Sequence, residues 1–395
     1  MAIKNKHKQN NSVRKKRYWV FILGAGFSRP AGLPLGDELF REILKRKNRR
    51  RSGSFISGDL DRFVEYKKKC GVIELTHENI NYEEFISFLD IEHYLGLKGS
   101  DTWSHDGNES QIAIKYLIGE IINERTPKIE AMPDFYFEFV KRLKPGDIII
   151  TFNYDLILEM CLSHIGKDYR LYPYPTSEQD VSDDFDDQVI ILKMHGSIDW
   201  FSSWNYEEQR RIHREDGFPD FESPDPIFDK NDKYKKVPIL NDTKDEDNPL
   251  SKIFRIKEVR KFYSENNEML ATPWILSPSY HKILYAKTLR DFWYGIYEAG
   301  SWNYGVGIIG FSLPPHDEYI RQIIYTIVRN YQESEEYGYG EKHLSKAKFK
   351  MVDFCENDKD LSKLKKQYCF VDWNQADLYV KGFGEEAVKL LFDCI

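Results

Sequence analysis

The chain has 395 residues, of which 41% are hydrophobic and 31% are charged, a composition typical of a folded globular protein. Its formal net charge of -7 argues against wholesale binding of nucleic acid, and no apolar run approaches the ~18 residues that a membrane-spanning helix needs. We therefore expect one large domain with insertions or two modest domains, without membrane attachment.

Residues 1–17 form a basic segment, and no apolar signal core precedes Tyr18, so no secretion signal is readable. We expect this segment to be a flexible basic tail. Contact with an anionic partner, including nucleic acid, is the alternative interpretation.

The number of cysteines is odd and no Cys-x-x-Cys spacing occurs, which argues against a disulfide framework and a cysteine zinc ribbon. We interpret the cysteines as small core residues of a cytoplasmic protein, and we expect no metal. They are Cys70, Cys161, Cys355, Cys369 and Cys394.

Short apolar runs with the length of buried parallel strands recur along the chain. They cover residues 20–23, 148–152, 189–194, 274–276, 306–311 and 349–354, with a weaker run at 369–371. Apolar residues at helical spacing lie between or after them, as from Leu39 to Leu44 and from Ile320 to Val328. This alternation predicts an α/β fold, a Rossmann-like parallel sheet with helices on both faces.

Two segments interrupt the alternation. Residues 45–145 carry helical patterns with little strand signal, which predicts a mostly helical insertion. Residues 203–270 are polar and charged, which predicts a second, partly irregular insertion. The α/β domain then comprises residues 18–44 and 146–395.

The basic cluster at 45–51 ends the first long predicted helix. Positive charge is favoured at a helix C-terminus, so we interpret the cluster as a solvated helix end. Contact with a partner or with nucleic acid is the alternative.

The first strand runs directly into the small-residue segment Gly24-Ala25-Gly26. Glycine lets backbone N–H groups approach a pyrophosphate without a Cβ in the way. The ordinary dinucleotide fingerprint has a further glycine where this chain has Arg29, so the dehydrogenase version of the motif fails. A plain strand-to-helix turn is the alternative.

Polar residues follow three later strands. Asn153 and Asp155 follow the second strand and can bind ribose hydroxyls or a water, with helix capping as the alternative. His195 follows the third strand and is placed to exchange a proton near neutral pH, with a structural role as the alternative. A further loop carries Gly310 and Ser312, and the segment 382–385 opens a late helix.

The ordered set of GAGFS, TFNYD, HGS and GFSLP, each behind an apolar strand, resembles the sirtuin family. The closest resemblance is to bacterial sirtuin-like, NAD-consuming effectors of anti-phage defence. It covers roughly residues 18–40, 145–200 and 270–395. It implies NAD-binding residues at Gly24, Ala25, Gly26, Ser28, Gly32, Gly310 and Ser312. It also implies that Asn153 and Asp155 lie beside the nicotinamide ribose and that His195 is the catalytic histidine.

The chain departs from sirtuin deacylases in two places. Leu35-Gly36-Asp37 stand where those enzymes have Asp-Phe-Arg, and the four-cysteine zinc module cannot be built. Both differences count against protein deacylation but leave NAD binding and N-glycosidic cleavage intact.

We therefore expect an NAD⁺ glycohydrolase that uses NAD⁺ as substrate and releases ADP-ribose and nicotinamide. The cleavage passes through an oxocarbenium-like state, in which Asn153 orients the ribose or a water and His195 accepts a proton. Asp155 serves as ribose anchor or orienter. Asp199 is a weaker candidate, and we interpret it as a local cap after Ser197.

The resemblance also implies an activity that is inhibited until infection is sensed. It implies that the protein works as a homo-oligomer or with a partner such as a HerA-like hexameric ATPase. Any nucleic-acid contact would come through such a partner. Three alternatives stay open: a non-catalytic NAD or ADP-ribose sensor, an NAD-dependent protein deacylase, and a nucleic-acid-binding or nuclease component that uses the basic tail.

Overall fold

The computed structural model describes residues 18–47, 53–97, 104–171, 188–218, 223–231, 233–240, 248–265, 271–293, 303–314, 317–334, 336–337 and 344–393. The predicted tail at 1–17 lies outside these ranges, as do Arg49, Arg50 and Arg51 of the basic cluster and Cys394.

The strands are β1 (Trp19–Leu23), β2 (Ile148–Thr151), β3 (Tyr169–Arg170), β4 (Val189–Lys193), β5 (Gly196–Ser202), β6 (Lys236–Pro238), β7 (Ile253–Ile256), β8 (Pro273–Ile275), β9 (Gly305–Ile309), β10 (Glu336–Tyr337), β11 (Leu344–Ser345), β12 (Phe349–Val352) and β13 (Ala376–Tyr379). The α-helices are α1 (Ala25–Ser28), α2 (Gly36–Lys47), α3 (Gly53–Lys69), α4 (Tyr82–Tyr94), α5 (Glu109–Arg125), α6 (Asp134–Arg142), α7 (Ile157–His164), α8 (Trp204–Glu215), α9 (Val259–Ser264), α10 (Arg290–Trp293), α11 (Glu318–Glu333), α12 (Asp358–Gln367) and α13 (Glu385–Phe392). Short 3₁₀ helices cover Arg29–Ala31, Ile129–Ala131, Pro249–Lys252, Lys282–Leu289 and Trp373–Gln375.

The main sheet has seven strands in the order β13-β12-β9-β1-β2-β4-β3. All neighbouring strands in it are parallel. The chain fills one half of the sheet from β1 to β4 and the other half from β9 to β13. Because parallel crossovers are right-handed, the crossover helices of the two halves lie on opposite faces, and the C-terminal α13 returns to the face of α6. The predicted Rossmann-like parallel sheet with helices on both faces is confirmed.

The core is built around β1, whose five side chains are all buried. The ring of Phe21 lies 5.4 Å from that of Phe139 on α6 and 5.5 Å from that of Phe392 on α13. Buried aromatic rings in such contacts supply large apolar area and specific geometry. This packing fixes β1 at the centre of the sheet, and with it the loop that leaves β1.

Two of the predicted strand positions need correction. The run at 274–276 contributes to β8, which belongs to a separate antiparallel sheet of order β6-β7-β5-β8. The chain leaves the main sheet directly after β4, where Gly196 has a φ of +77° that favours glycine. The weaker run at 369–371 forms a turn and bend after α12, and the edge strand of the main sheet is β13 instead.

The segment 203–270 is more regular than its composition predicts. It holds α8, β6, β7 and α9 among its described residues, and β6 and β7 pair with each other as an antiparallel ladder. The segment 45–145 holds α3 to α6. Of these helices, α6 packs against α7 and α13 of the α/β layer. The exact limits of both insertions stay predictions.

The described part of the basic cluster is only partly solvated, which corrects its interpretation as a solvated helix end. Lys45 is exposed, whereas Arg46 forms ion pairs with Glu42, Glu120 and Glu124, and Lys47 is buried beside His77. The Arg46 ion pairs join α2 to α5, and Lys47 contacts the segment after α3.

The cysteine interpretation is also partly wrong. Cys161 is buried, whereas Cys355 is half-buried and Cys70 and Cys369 are exposed. Within the described ranges, no helix has the length and apolar character needed to cross a membrane.

The loops after β1 and β9 touch through their backbones. The N–H of Gly24 donates to the carbonyl oxygen of Ile309 at 3.0 Å, and the N–H of Gly26 donates to that of Gly310 at 2.9 Å. A Cβ at position 26 would lie 2.6 Å from the Cα of Gly310, a distance that carbon atoms do not tolerate. Gly26 is thus required for the close approach of the two loops.

Gly26→Ala should lower the free energy of unfolding by about 1–3 kcal/mol because the added methyl overpacks the contact with Gly310. The matched control is Gly58→Ala on the exposed face of α3, where a Cβ meets nothing within 4 Å. Alanine is the better helix former, so the control should raise stability by up to about 1 kcal/mol. Urea unfolding of both variants measures the difference, and equal stabilities would contradict the packing described here.

Candidate active site

Loops from four strands meet at the carboxyl-terminal edge of the main sheet. Strand order reverses between β1 and β9, and ligands of open α/β sheets bind at such a reversal, outside the carboxyl ends of the strands. The loops after β1, β2, β4 and β9 carry the residues predicted from the sequence. The fold therefore brings the four motifs to one edge.

Ser28, Asn153 and Asp155 form a buried hydrogen-bonded cluster. Ser28 Oγ donates to Asp155 Oδ2 at 2.6 Å, and Asn153 Nδ2 lies 3.0 Å from Ser28 Oγ. Asn153 Nδ2 also donates to the Gly24 carbonyl oxygen at 2.8 Å. The side chains are only 2%, 9% and 7% exposed, in the order Ser28, Asn153, Asp155. We call this set the Ser28 cluster.

The capping alternative holds for Asp155 but not for Asn153. Asp155 Oδ1 accepts a hydrogen bond from the N–H of Ile157 at the start of α7, which is a capping contact. Its second oxygen accepts the hydrogen bond from Ser28. The carboxylate of Asp155 therefore both caps α7 and belongs to the Ser28 cluster. The Asn153 amide instead joins the loop after β2 to the loop after β1.

A cavity of about 110 Å³ adjoins the Ser28 cluster. Its polar wall consists of Ser28, Asn153 and Asp155, and Ala25 also lines it. Its apolar wall comes from α2, from the loop before it, and from α4 and α5 of the helical segment: Leu33, Pro34, Leu39, Phe40, Ile43, Ile86, Ile118 and Ile122. Apolar walls with a few convergent polar groups are typical of small-molecule sites.

His195 lies next to this cavity, separated from it by an aromatic ring. Its imidazole packs against the ring of Phe152 with centroids 5.1 Å apart, and Phe152 lines the cavity. His195 Nε2 lies 3.5 Å from the hydroxyl of Tyr319. His195 is therefore adjacent to the Ser28 cluster but faces Tyr319.

Burial lowers the pKa of His195 well below its ordinary value of 6.5. The nearby ammonium of Lys282 lowers this pKa further, while a hydrogen bond with the Phe152 backbone acts in the opposite direction. Lys282 forms a buried ion pair with Asp317 at 2.8 Å. The lowered pKa favours the neutral imidazole, which is the form that can accept a proton.

An open groove of about 580 Å³ reaches His195 through Tyr319. Half of its lining residues are aromatic. The lining residues are Tyr280, Ile283, Glu318, Tyr319, Arg321, Gln322, Tyr325 and Phe370. Phe152 of the cavity wall and Tyr319 of the groove wall thus both contact His195.

The predicted glycines contribute to loop packing rather than to the cavity wall. The N–H groups of Gly24 and Gly26 are bonded to protein carbonyl oxygens, and Gly310 is the partner of Gly26. Gly32 and Ser312 are exposed. Ala25 and Ser28 are the residues of the first loop that line the cavity. Of the described residues, no group of three or more His, Cys, Asp or Glu is arranged to hold a metal ion.

The structure corrects the interpretation of Asp199 and adds residues that the motifs missed. Asp199 is buried in β5 and accepts a hydrogen bond from Arg255 Nε at 2.8 Å, so it is not a cap. Tyr319 and Lys282 beside His195 were missed because they follow no strand motif. Lys193 was also missed, although a lysine inside a predicted buried strand is a readable signal.

Residues 147–237 match the family model of the SIR2-like domain, and this stretch contains Asn153, Asp155 and His195. The match confirms the SIR2-like resemblance for the stretch that holds the TFNYD and HGS motifs. Two solved sirtuin structures align with 96% of this chain, one concerning sirtuin substrate affinity and the other Sir2Tm bound to a propionylated peptide. The alignments cover 94% and 93% of those chains at 11% and 12% identity, with TM-scores of 0.28, too low to indicate how this chain reacts. No curated protein matches the sequence.

Ser28→Ala should lower the free energy of unfolding by about 1–3 kcal/mol, because Asp155 loses a buried hydrogen-bond donor. The matched control is Ser312→Ala, an exposed serine that should change stability by less than about 0.5 kcal/mol. Thermal and urea unfolding of the two variants provide the comparison. Equal stability of both would show that the Ser28 cluster is not formed in solution.

Proposed function

We propose that this protein is an NAD⁺ glycohydrolase that releases nicotinamide and ADP-ribose. The observation that carries the proposal is the Ser28 cluster, which places an amide and a carboxylate at the cavity beside a neutral buried histidine. The SIR2-like match over residues 147–237 supports the same ligand.

The residues present fit NAD⁺ as a substrate. Ala25 and Ser28 follow β1 at the reversal of strand order, where phosphates of nucleotides bind in α/β sheets. Asn153 and Asp155 offer an amide and a carboxylate to the hydroxyls of the nicotinamide ribose. The loop with Gly310 and Ser312 would contact the adenosine half.

The reaction breaks the bond between C1′ of the ribose and the nicotinamide nitrogen, and the electron pair leaves with nicotinamide. A water oxygen bonds to C1′. Its proton passes to His195 once the opened cavity gives access past the ring of Phe152, and then to solvent. Positive charge develops on the ribose in the transition state, and the carboxylate of Asp155 lies where it opposes that charge. Asn153 orients the ribose or the water.

The small volume of the cavity supports a hydrolase activity that is inhibited in the resting protein. At about 110 Å³ it is well below the ~300–1,000 Å³ of sites for small organic ligands, so it must open before a dinucleotide enters. We propose that assembly opens it, in a homo-oligomer or with a partner such as a HerA-like hexameric ATPase. Anti-phage defence in the cytoplasm is the proposed setting, with any nucleic acid bound by the partner.

A second candidate function is an NAD or ADP-ribose sensor without turnover. The ring of Phe152 between His195 and the cavity favours this alternative, because a sensor needs the Ser28 cluster but no base. A protein deacylase is disfavoured by the residues at 35–37 and by the cysteines.

The activity test follows nicotinamide release from NAD⁺ by chromatography with the full chain. Asn153→Ala and His195→Ala should each lower kcat by ~10²–10⁴-fold, the usual contribution of general acid–base catalysis and of substrate positioning. His164→Ala, an exposed histidine on α7, is the matched control and should retain activity.

Turnover by His195→Ala at the wild-type rate would rule out the proposed base. NAD⁺ binding without nicotinamide release by the wild type would favour the sensor. Formation of acetyl-ADP-ribose from an acetyl-lysine peptide would favour the deacylase.

The pH profile tests the state of His195. Because its folded pKa lies well below 6.5, its neutral form persists as the pH falls, and kcat/KM should stay level from pH 8 to pH 6.5. A histidine of ordinary pKa would lose about half the rate at pH 6.5.

Lys282→Met removes the positive charge near His195 and leaves Asp317, so the pKa of His195 should rise. The fall of kcat/KM on the acid side of the pH profile should therefore move to higher pH. An unchanged position of this fall would contradict this electrostatic account.

A further inference from the structure

Lys193 is a buried lysine between the two proposed catalytic motifs. It ends β4, two positions before His195, and is 1% exposed. Its ammonium donates to the carbonyl oxygen of Asp155 and forms an ion pair with Glu159 Oε1 on α7 at 2.9 Å. Lys193 does not line the cavity, so it reaches the Ser28 cluster only through the backbone of Asp155.

Stability alone is a poor explanation for this buried pair. Removing two charges from water is costly, and replacing a buried ion pair by packed apolar side chains is often neutral or stabilising. The additional hydrogen bond to a main-chain carbonyl is more specific, because it fixes one point of the loop that follows β2. Lysine reaches this point from the strand that leads to His195.

Residues before and after His195 hold the loop after β2 through hydrogen bonds. The carbonyl oxygen of Tyr154 accepts hydrogen bonds from the N–H of Ile198 at 3.1 Å and from Ser197 Oγ at 3.3 Å. The next carbonyl oxygen, that of Asp155, is held by Lys193. The segment 193–198 thus holds two successive carbonyl groups of the loop that carries Asn153 and Asp155.

We infer that Lys193 is a positioning residue, which sets the place of Asn153 and Asp155 relative to His195. This inference rests on the proposed NAD⁺ hydrolysis. It predicts that loss of the ammonium displaces the loop without removing a group that touches substrate. A displacement of about 1 Å in a catalytic group costs about 10²-fold in rate.

Lys193→Met keeps the length of the side chain and removes the ammonium. In the full chain, kcat for NAD⁺ hydrolysis should fall by about 10²-fold while KM changes by less than about 3-fold. The matched control is Lys167→Met, because Lys167 Nζ also donates to main-chain carbonyl oxygens, those of Val140, Lys141 and Leu143. Those carbonyls end α6, away from the cavity, so this control should retain its kcat.

A double variant distinguishes a loss of kcat caused by lost positioning from one caused by misfolding. Lys193→Met leaves Glu159 buried without its ammonium, so Lys193→Met/Glu159→Met should be the more stable of the two. The inference predicts that the double variant folds but keeps the reduced kcat. Recovery of kcat to within about 3-fold of wild type would overturn it, since Lys193 would then only neutralise Glu159.

Hydrogen exchange separates this inference from the proposed function. The amides of Phe152, Asn153 and Ile157, which all donate hydrogen bonds, should lose protection in both Lys193→Met variants and keep it in Lys167→Met, whether or not the wild type hydrolyses NAD⁺. Unchanged protection of these amides in the folded double variant would overturn the positioning role. Absence of NAD⁺ hydrolysis by the wild type would instead overturn the proposed function.

Discussion

The backbone contact between Gly26 and Gly310 is the constraint on which the site depends. It joins the loops of β1 and β9 at the reversal of strand order, and side chains at either position would separate them. The same contact directs the carbonyl oxygen of Gly24 to Asn153, and Asn153 in turn reaches Ser28 and Asp155. The polar wall of the cavity is therefore a consequence of two glycine loops in close contact.

The sequence predicted those parts of the fold that depend on local pattern. Apolar runs at Val20, Ile149 and Ile308 correspond to neighbouring buried strands, and polar residues directly after them reach one edge because parallel strands end there. Asn153 and Asp155 were predictable for this reason. Their hydrogen bonds with Ser28, more than a hundred positions away in the sequence, were not.

Other features depend on tertiary contacts that no local pattern contains. The apolar strand at Trp274 joined an antiparallel sheet because Gly196 turns the chain out of the main sheet. His195 was placed at the right edge, but the intervening ring of Phe152 could not be read from spacing. Lys193 stands visibly within an apolar run, but the partners that make its buried charge tolerable, Glu159 and the main-chain carbonyl of Asp155, come from tertiary contacts.

We propose that the Ser28 cluster receives the nicotinamide ribose of NAD⁺. A crystal structure of the His195→Ala variant with NAD⁺ tests this placement, since the slow variant keeps its substrate intact. We expect ribose hydroxyls within about 2.6–3.2 Å of the side chains of Asn153 or Asp155. NAD⁺ bound only in the open groove beside Tyr319 and Tyr325, with the Ser28 cluster unchanged, would contradict it.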